Sequence, residues 1–274
     1  MNVAPQDDPA LASLHQAVAD RAHMAALQPG NAACQRHLAI AHDALGRRLR
    51  ARKDMAGALA AFRAAAAVFQ RLAADKPDSR LRQRDFALAQ YGIGRTALVA
   101  GDAVAGLAAF RSAMSVHERL AALDPGNAET QSDLAGARHG TGRALLVQGD
   151  AVGAVPILQA ALDSRRRLAA LDPRNEAGQR DLAADHHALG SALEMLGDQR
   201  RALTAYQDGL VIYERLAAAD PASAERQRDL ADARGNTNRL LPAQGDGAHA
   251  AAPPPVRAGF WSTLRRRAGL SGDQ

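Results

Sequence analysis

Apolar residues recur along the chain with the three- and four-residue spacing of amphipathic helices. One such stripe consists of Phe86, Ala89, Ile93 and Ala97, and the next consists of Leu107, Phe110, Ala113 and Met114. Short stretches that contain glycine or proline separate the stripes. The pattern predicts antiparallel pairs of helices, each of about 20 residues and roughly 30 Å long, joined by tight turns.

The helix pairs repeat with a period of 48 residues. The segment RLAALDPGNAETQSDL, which begins at Arg119, returns as RLAALDPRNEAGQRDL at Arg167, and further copies begin at Arg71, Arg215 and, in altered form, His23. Repeats of this length are typical of solenoids, in which each repeat packs only against its neighbours. The sequence therefore predicts an all-α solenoid without a single central core.

Two sets of helix-start residues mark each repeat, one before its first helix (helix A) and one before its second (helix B). Side chains of these types cap the free amide groups at a helix N-terminus. The predicted caps of the A helices are Asn31, Ser79, Asn127, Asn175 and Ser223. The predicted caps of the B helices are Asp54, Asp102, Asp150, Asp198 and Asp246.

Glycine returns at one position of helix A, although a glycine inside a helix costs about 1 kcal/mol relative to alanine. The four residues are Gly46, Gly94, Gly142 and Gly190. We expect close approach of the paired helix B at these positions.

One helix pair reads His42-x2-Leu45-Gly46-x2-Leu49 followed by Ala58-x3-Phe62, and another reads His186-x2-Leu189-Gly190-x2-Leu193 followed by Ala202-x3-Tyr206. These motifs resemble the tetratricopeptide pattern W-x2-L-G-x2-Y…A-x3-F. The longer period is similar to that of long tetratricopeptide arrays in bacterial proteins. The resemblance implies a right-handed superhelix of antiparallel helix pairs, with the A helices lining a concave groove that binds other proteins.

The repeats divide the chain into three predicted parts. Residues 1–9 form an N-terminal tail, and residues 10–246 form the solenoid, with half a repeat, four full repeats and one terminal A helix. Residues 247–274 form a proline-rich linker and a basic amphipathic tail. This tail has three interpretations: a disordered terminus, a cap on the last repeat, or a docking segment for an acidic membrane surface or another protein.

The composition supports a helical fold and adds few constraints on function. Hydrophobic residues make up 47% of the chain but aromatic residues only 3%, so most apolar residues are alanine and leucine, which favour helices. The formal net charge of +5 comes almost entirely from arginine and indicates no particular anionic partner. Because Cys34 is the only cysteine and no signal peptide or membrane span is evident, we expect a soluble, cytoplasmic protein.

Two neighbouring columns of A-helix residues face the groove if the resemblance holds. The first column is Asp43, Tyr91, His139, His187 and Gly235, and the second is Arg47, Arg95, Arg143, Ser191 and Arg239. Guanidinium groups suit carboxylates, so we take Arg47, Arg95, Arg143, Arg239, Tyr91, His139 and His187 as candidate contacts for an acidic peptide or chain terminus. The alternative is that these arginines are solvated or paired within the chain.

A further recurrence predicts ion pairs between helix B of one repeat and helix A of the next. The pairs are Arg71 with Asp85, Arg119 with Asp133, Arg167 with Asp181, and Arg215 with Asp229. Each is worth at most about 1 kcal/mol if exposed.

The sequence contains no recognisable catalytic, cofactor-binding or metal-binding motif, so we expect neither an enzyme nor a cofactor or a metal. A scaffold that binds a partner protein or peptide is the favoured function. Two alternatives are binding of nucleic acid or another anionic surface through basic residues, and self-assembly through the exposed last A helix.

Overall fold

A computed structural model of the chain describes residues 8–241, which form ten α-helices. The helices are α1 (Pro9–Leu27), α2 (Ala32–Ala51), α3 (Met55–Asp75), α4 (Arg80–Val99), α5 (Ala103–Leu123), α6 (Ala128–Val147), α7 (Ala151–Leu171), α8 (Glu176–Met195), α9 (Gln199–Ala219) and α10 (Ala224–Leu240). Even-numbered helices are the A helices of the repeats, and odd-numbered helices are the B helices. None of these helices is both long enough and apolar enough to cross a bilayer. The predicted linker and tail at residues 247–274 lie outside the described part of the chain.

The predicted helix caps are confirmed for α2 to α10. Asparagine or serine caps each A helix, and aspartate caps α3, α5, α7 and α9, with the side chain accepting a hydrogen bond from an amide of the first turn. Asp8 caps α1 in the same way. The side chains of Arg52 and Arg48 also bond to Asp8, and the hydrogen bond from Arg52 is the main reason that the pKa of Asp8 falls to about 2. The cap predicted at Asp246 lies outside the described residues.

The turns between helix A and helix B use the left-handed backbone region. Gly101, Gly149 and Gly197 have φ angles of 89°, 83° and 80°, which glycine adopts without a steric penalty. In the first repeat Lys53 occupies the matching position with φ of 66°. This lysine carries the backbone strain that the glycines of the later repeats avoid.

The glycines inside the A helices let helix B approach closely, which confirms the expectation from the sequence. A Cβ atom added at Gly46 would lie 3.0 Å from the ring of Phe62, and one added at Gly190 would lie 2.8 Å from the ring of Tyr206. The same relation holds between Gly94 and Phe110 and between Gly142 and Leu158. The helices α3, α5, α7 and α9 thus each insert one large side chain into the space that the missing Cβ leaves.

Helices pack in chain order within two compact segments, residues 8–125 with α1 to α5 and residues 126–241 with α6 to α10. In the first segment, Phe62, Phe69 and Leu72 of α3 anchor a core that α2 and α4 complete. In the second, Tyr213 and Leu216 of α9 pack with residues of α8 and α10. Each segment is an all-α array of consecutive helix pairs.

The ion pairs predicted between helix B and the next helix A are wrong for three of the four aspartates. Asp85 pairs with Arg36 at 2.6 Å, and Asp229 pairs with Arg180 at 2.7 Å. Both pairs join consecutive A helices. Asp181 pairs instead with Arg165 of α7 at 2.6 Å. Two of the aspartates thus reach the preceding A helix and one reaches a B helix, and the spacing of charges in the sequence did not reveal these partners.

Candidate partner-binding face on the A helices

Consecutive A helices touch within each segment, so their matching positions can form one continuous face. In residues 8–125 α2 contacts α4, and in residues 126–241 α6 contacts α8. The seven residues predicted to bind a partner all lie on A helices. Their surroundings differ sharply between the two segments.

In residues 8–125 two of the predicted arginines are exposed. Arg47 has 63% of its side chain exposed, and its Nε lies 2.7 Å from the carboxylate of Asp43, one turn earlier on α2. Arg95 of α4 places its guanidinium carbon 5.8 Å from the centre of the Tyr91 ring. Tyr91 in turn packs edge-on against Phe110, with ring centres 5.6 Å apart. The face therefore presents Arg95 beside an aromatic ring that packing holds in place, and Arg47 exposed on α2.

A third arginine, Arg50, completes this group. It lies one turn beyond Arg47 on α2, partly buried, with its guanidinium carbon 5.6 Å from the centre of the Phe62 ring. None of residues 8–241 forms an ion pair with Arg50. Burial lowers its pKa, and the positive charges of Arg95 and Arg47 lower it further, while the carboxylate of Asp43 opposes this only weakly. We call Arg47, Arg50 and Arg95 the arginine cluster.

The repeat pattern did not reveal Arg50 because its position in the repeat is not otherwise basic. The matching residues of the later A helices are Leu98, Leu146 and Glu194. Residues that recur at one position of successive A helices therefore include Arg47 and Arg95 but not Arg50. The sequence indicates Arg50 only through its i, i+3 spacing from Arg47, which puts both side chains on one side of α2.

In residues 126–241 the positions that match Arg50 and Arg95 form an ion pair with each other. Arg239 of α10 donates hydrogen bonds to both carboxylate oxygens of Glu194 on α8, and the bond from Nη2 to Oε2 measures 2.9 Å. The hydroxyl of Tyr206 donates a third bond to Glu194, also at 2.9 Å, and lies 3.1 Å from the hydroxyl of Ser191. Arg239, predicted to bind a partner, is thus engaged within the chain.

The electrostatics of this ion pair agree with its geometry. Burial acts to raise the pKa of Glu194, but the hydrogen bonds from Arg239 and Tyr206 outweigh it, so the pKa lies below that of an ordinary glutamate. The hydrogen bond to Glu194 raises the pKa of Arg239. Burial is the main reason that the pKa of Tyr206 is raised, and the nearby carboxylate adds to it. Both partners of the pair are therefore charged at neutral pH.

The predicted residue His139 bonds to a buried carboxylate. Its Nδ1 lies 2.5 Å from Asp185, whose side chain is fully buried, and Arg165 of α7 lies 2.8 Å from the other oxygen of Asp185. The remaining A helices carry a buried alanine at the position of Asp185, namely Ala41, Ala89, Ala137 and Ala233. His139 thus belongs to a buried polar cluster of residues 126–241, with 17% of its side chain exposed.

The last two residues that were predicted to bind a partner, His187 and Arg143, differ in exposure. His187 is partly buried, with Nε2 2.5 Å from the side-chain amide nitrogen of Asn236 and its ring centre 5.1 Å from that of Tyr206. Arg143 is exposed on α6, one turn beyond His139.

In the part of the chain that the structure describes, no three His, Cys, Asp or Glu side chains are grouped as metal ligands.

The structure therefore brings together only part of the predicted site. Arg47, Tyr91 and Arg95 lie on one face of residues 8–125, joined by the unpredicted Arg50. The alternative of arginine paired within the chain applies to Arg239. It applies to Arg47 in part, because Asp43 neutralises one of the three cations in the arginine cluster.

The helix pairs have counterparts among solved structures. No family model matches the sequence, and no curated protein matches it. The chain is similar to the crystal structure of BtubC (BKLC) from P. vanneervenii, with a TM-score of 0.50 and 15% identity over 88% of this chain and 96% of that one. The apo form of RapI has a TM-score of 0.47 and 11% sequence identity, and the match covers 82% of this chain and 60% of RapI. MamA has a TM-score of 0.32 and 17% sequence identity, and the match covers 71% of this chain and 95% of MamA. The likeness to BtubC shows the fold alone, an all-α array of consecutive helix pairs.

Proposed function

We propose that the chain is a protein-interaction scaffold that holds an acidic segment of a partner protein against the A-helix face of residues 8–125. The observation that carries this proposal is Arg50, a partly buried guanidinium with two other arginines nearby and no ion-pair partner in residues 8–241. Cations that are left unneutralised inside a protein are costly, and an incoming anion relieves that cost.

The surroundings of the arginine cluster favour an extended partner over a lone ion. Tyr91 offers an aromatic surface beside Arg95, and aromatic residues and arginine are the types most enriched where proteins bind each other. Arg143, exposed on α6, is a proposed contact of the second segment. Stacked helix pairs present long surfaces and no enclosed cavity, which suits binding better than catalysis.

We also propose that the chain is a lengthened relative of the tetratricopeptide family with a 48-residue period. The support is the contact of Gly46 with Phe62 and of Gly190 with Tyr206. These are the glycine and aromatic positions of the tetratricopeptide pattern. A partner protein in a groove lined by A helices belongs to the same proposal.

The test is affinity capture with the full chain, followed by titration of the captured protein in purified form. The variant Arg47→Glu/Arg95→Glu/Arg143→Glu reverses three charges on A helices. A matched control reverses three exposed arginines on B helices, Arg63, Arg111 and Arg200. We expect the A-helix variant to bind at least tenfold more weakly than the wild type and the control variant to bind like the wild type.

Equal binding by the A-helix variant and the control would contradict the proposed face. Binding of a random oligonucleotide that weakens steeply with salt would favour a nucleic-acid partner instead. A mass that rises with concentration in light scattering would favour self-assembly.

A further inference from the structure

The joint between α7 and α8 differs from the joints between α3 and α4 and between α9 and α10. At one pair of matching positions α3 and α4 carry Phe69 and Ala89, which belong to one apolar core. The helices α9 and α10 likewise carry a ring and an alanine there. The joint between α7 and α8 holds Arg165 and Asp185 at these positions. Two charged groups thus replace a ring packed near a small residue.

Both charged groups are buried in this joint. Arg165 has 9% of its side chain exposed, and Asp185 is fully buried. Nε of Arg165 lies 2.8 Å from Oδ2 of Asp185, yet neither atom forms a hydrogen bond with any of residues 8–241. When the joint opens, water hydrates both groups, whereas the opening of the matching joint exposes the apolar side chains of Phe69 and Ala89. Opening between α7 and α8 should therefore cost less free energy than opening between α3 and α4.

The same joint lacks the ion pair that links consecutive A helices elsewhere. In residues 8–125 this pair is Arg36 with Asp85, and α8 and α10 are linked by a pair at the same positions. Between α6 and α8 the matching residues are Ser132 and Asp181. Because serine carries no charge, Asp181 pairs with Arg165 of α7. The start of α6 is therefore not tied to α8 in the way that α2 is tied to α4.

A hydrogen bond of another kind links α6 to α8. Nδ1 of His139 lies 2.5 Å from the carboxylate of Asp185, which stands one turn beyond Asp181 on α8. This bond holds the two helices together at one level, and it does not by itself prevent rotation about that level. His139 and Asp185 can therefore serve as the pivot of a movement between α6 and α8.

We infer that the joint between α7 and α8 is a hinge, about which α6 and α7 move as a pair against α8, α9 and α10. Each pair stays together because a large side chain of helix B fills the space beside a glycine of helix A, as Leu158 does at Gly142. The motion requires no partner. It changes the distance between α6 and α8, and with it the separation of Arg143 from His187 on the A-helix face.

The test compares two matched distances by pulsed electron paramagnetic resonance of spin labels, in the full chain with Cys34→Ser. One label pair, Ala170→Cys/Ala218→Cys, joins α7 to α9 across α8. The other pair, Ala74→Cys/Ala122→Cys, joins α3 to α5 across α4. All four alanines are exposed and occupy the same position of their B helices.

We expect the distance distribution across α8 to be at least about twice as wide as the distribution across α4. The variant Ser132→Arg/Arg165→Phe/Asp185→Ala gives the α7–α8 joint the residues of the α3–α4 joint. It should narrow the distribution across α8 to the width found across α4. Ser132→Arg alone leaves the buried groups in place and should narrow the distribution by a smaller amount, through an ion pair with Asp181. Circular dichroism checks that each variant is folded.

Pro156 supplies a control for weakness within α7 itself. It lies inside α7, where a proline removes one helical hydrogen bond, and Ala108 occupies the matching position of α5. Pro156→Ala should strengthen α7 without changing the joint. The distribution across α8 should therefore keep its width in this variant.

Equal widths across α8 and α4 in the wild type, or a width across α8 that the triple variant leaves unchanged, would overturn the hinge. Narrowing by Pro156→Ala as large as that by the triple variant would overturn it as well, because the motion would then lie within α7. If the triple variant does not fold, the result for Ser132→Arg decides: narrowing supports the hinge, and an unchanged width overturns it.

Discussion

Two groups of three helices, α2 to α4 and α8 to α10, pack in the same way but differ in how their charges are neutralised. Both place a glycine of helix A against a ring of helix B. Around that shared contact, α8 to α10 satisfy their charges internally through Glu194, Arg239 and Tyr206. The α2 to α4 group leaves Arg50 without an ion pair among the described residues.

The comparison separates what holds the helices together from what the face can bind. The glycine and ring contact fixes the distance between helix A and helix B, because close packing tolerates little change in volume. The residue four positions later decides whether the face is neutralised from within. Arg50 and Glu194 lie at that position, and they give an open cationic face in one segment and a closed ion pair in the other.

The largest expected effect comes from breaking the packing that the two groups share. Gly46→Leu and Gly190→Leu should each lower the free energy of unfolding by about 3 kcal/mol, because the new side chain must displace Phe62 or Tyr206 from the core. Gly235 has no atom near its missing Cβ, so Gly235→Leu is the control and should not destabilise the chain. Urea denaturation measures all three. Equal effects at Gly190 and Gly235 would contradict the packing role.

The next largest effect should come from replacing Glu194 and Arg50, which occupy the same position of the two groups, by leucine. Glu194→Leu should cost about 2 kcal/mol, because Arg239 and Tyr206 lose a shared acceptor. Arg50→Leu removes the favourable contact of the guanidinium with the Phe62 ring and also the repulsion from Arg47 and Arg95. Because these two effects oppose each other, stability should change by less than about 0.5 kcal/mol. Chemical denaturation of both variants gives the comparison. Similar losses at the two positions would mean that the contrast between the groups is not electrostatic.

The same pair predicts a dependence on pH. The pKa of Glu194 is lowered in the folded chain from its ordinary 4.5, so its contribution to stability is complete above that value. The contribution is lost as the pH falls through the folded pKa. The stability difference between the wild type and Glu194→Leu should therefore shrink in acid, as thermal unfolding at a series of pH values would show. A difference that grows in acid would refute this assignment.

A smaller effect should follow from converting one ring into the other. Tyr206→Phe gives α9 the residue that α3 has at position 62, and it should cost about 1 kcal/mol through the lost bond to Glu194. A double-mutant cycle with Glu194→Leu isolates that bond. Additive effects of the two substitutions would show that the hydroxyl and the carboxylate do not interact.

The smallest expected effect concerns the turn that precedes each B helix. Lys53 has a left-handed backbone where Gly197 stands in the later repeat. Lys53→Gly should stabilise the chain by about 0.5 kcal/mol, since relief of strain slightly exceeds the entropy that glycine adds to the unfolded chain. Gly197→Lys should have the opposite sign. Thermal unfolding measures both, and a loss of stability in Lys53→Gly would contradict the strain at this turn.

Local features of the fold were predictable because they depend on neighbouring residues. The caps at Asn31, Asp102 and Asn175 follow from side chains that bond to amides two or three residues ahead. The close contact at Gly46 was predictable as well, because a glycine that returns at one place in a helix costs stability unless a neighbouring helix needs the space. The candidate site was predictable only in part, at Arg47, Tyr91 and Arg95.

Contacts between helices were not predictable from the spacing of charges. Asp85 has arginines at several distances along the sequence, and it pairs with Arg36 rather than Arg71. In the repeat alignment Ser132 stands where Arg36 and Arg180 stand, so Asp181 has no arginine at the matching place of the preceding A helix, and it pairs with Arg165. The partner of a long charged side chain depends on where its flexible end reaches, which sequence spacing does not specify.

The sequence by itself determined the helices, their ends, their pairing and the all-α repeat, because short-range hydrogen bonding and the periodic apolar pattern are enough for these. Only the tertiary structure decided which charges are neutralised. Glu194 and Arg239 lie 45 residues apart, and Arg50 and Arg95 hold the same relation in the first segment. The charge state of a face depends on which side chains meet across neighbouring helices, and that is a property of their packing.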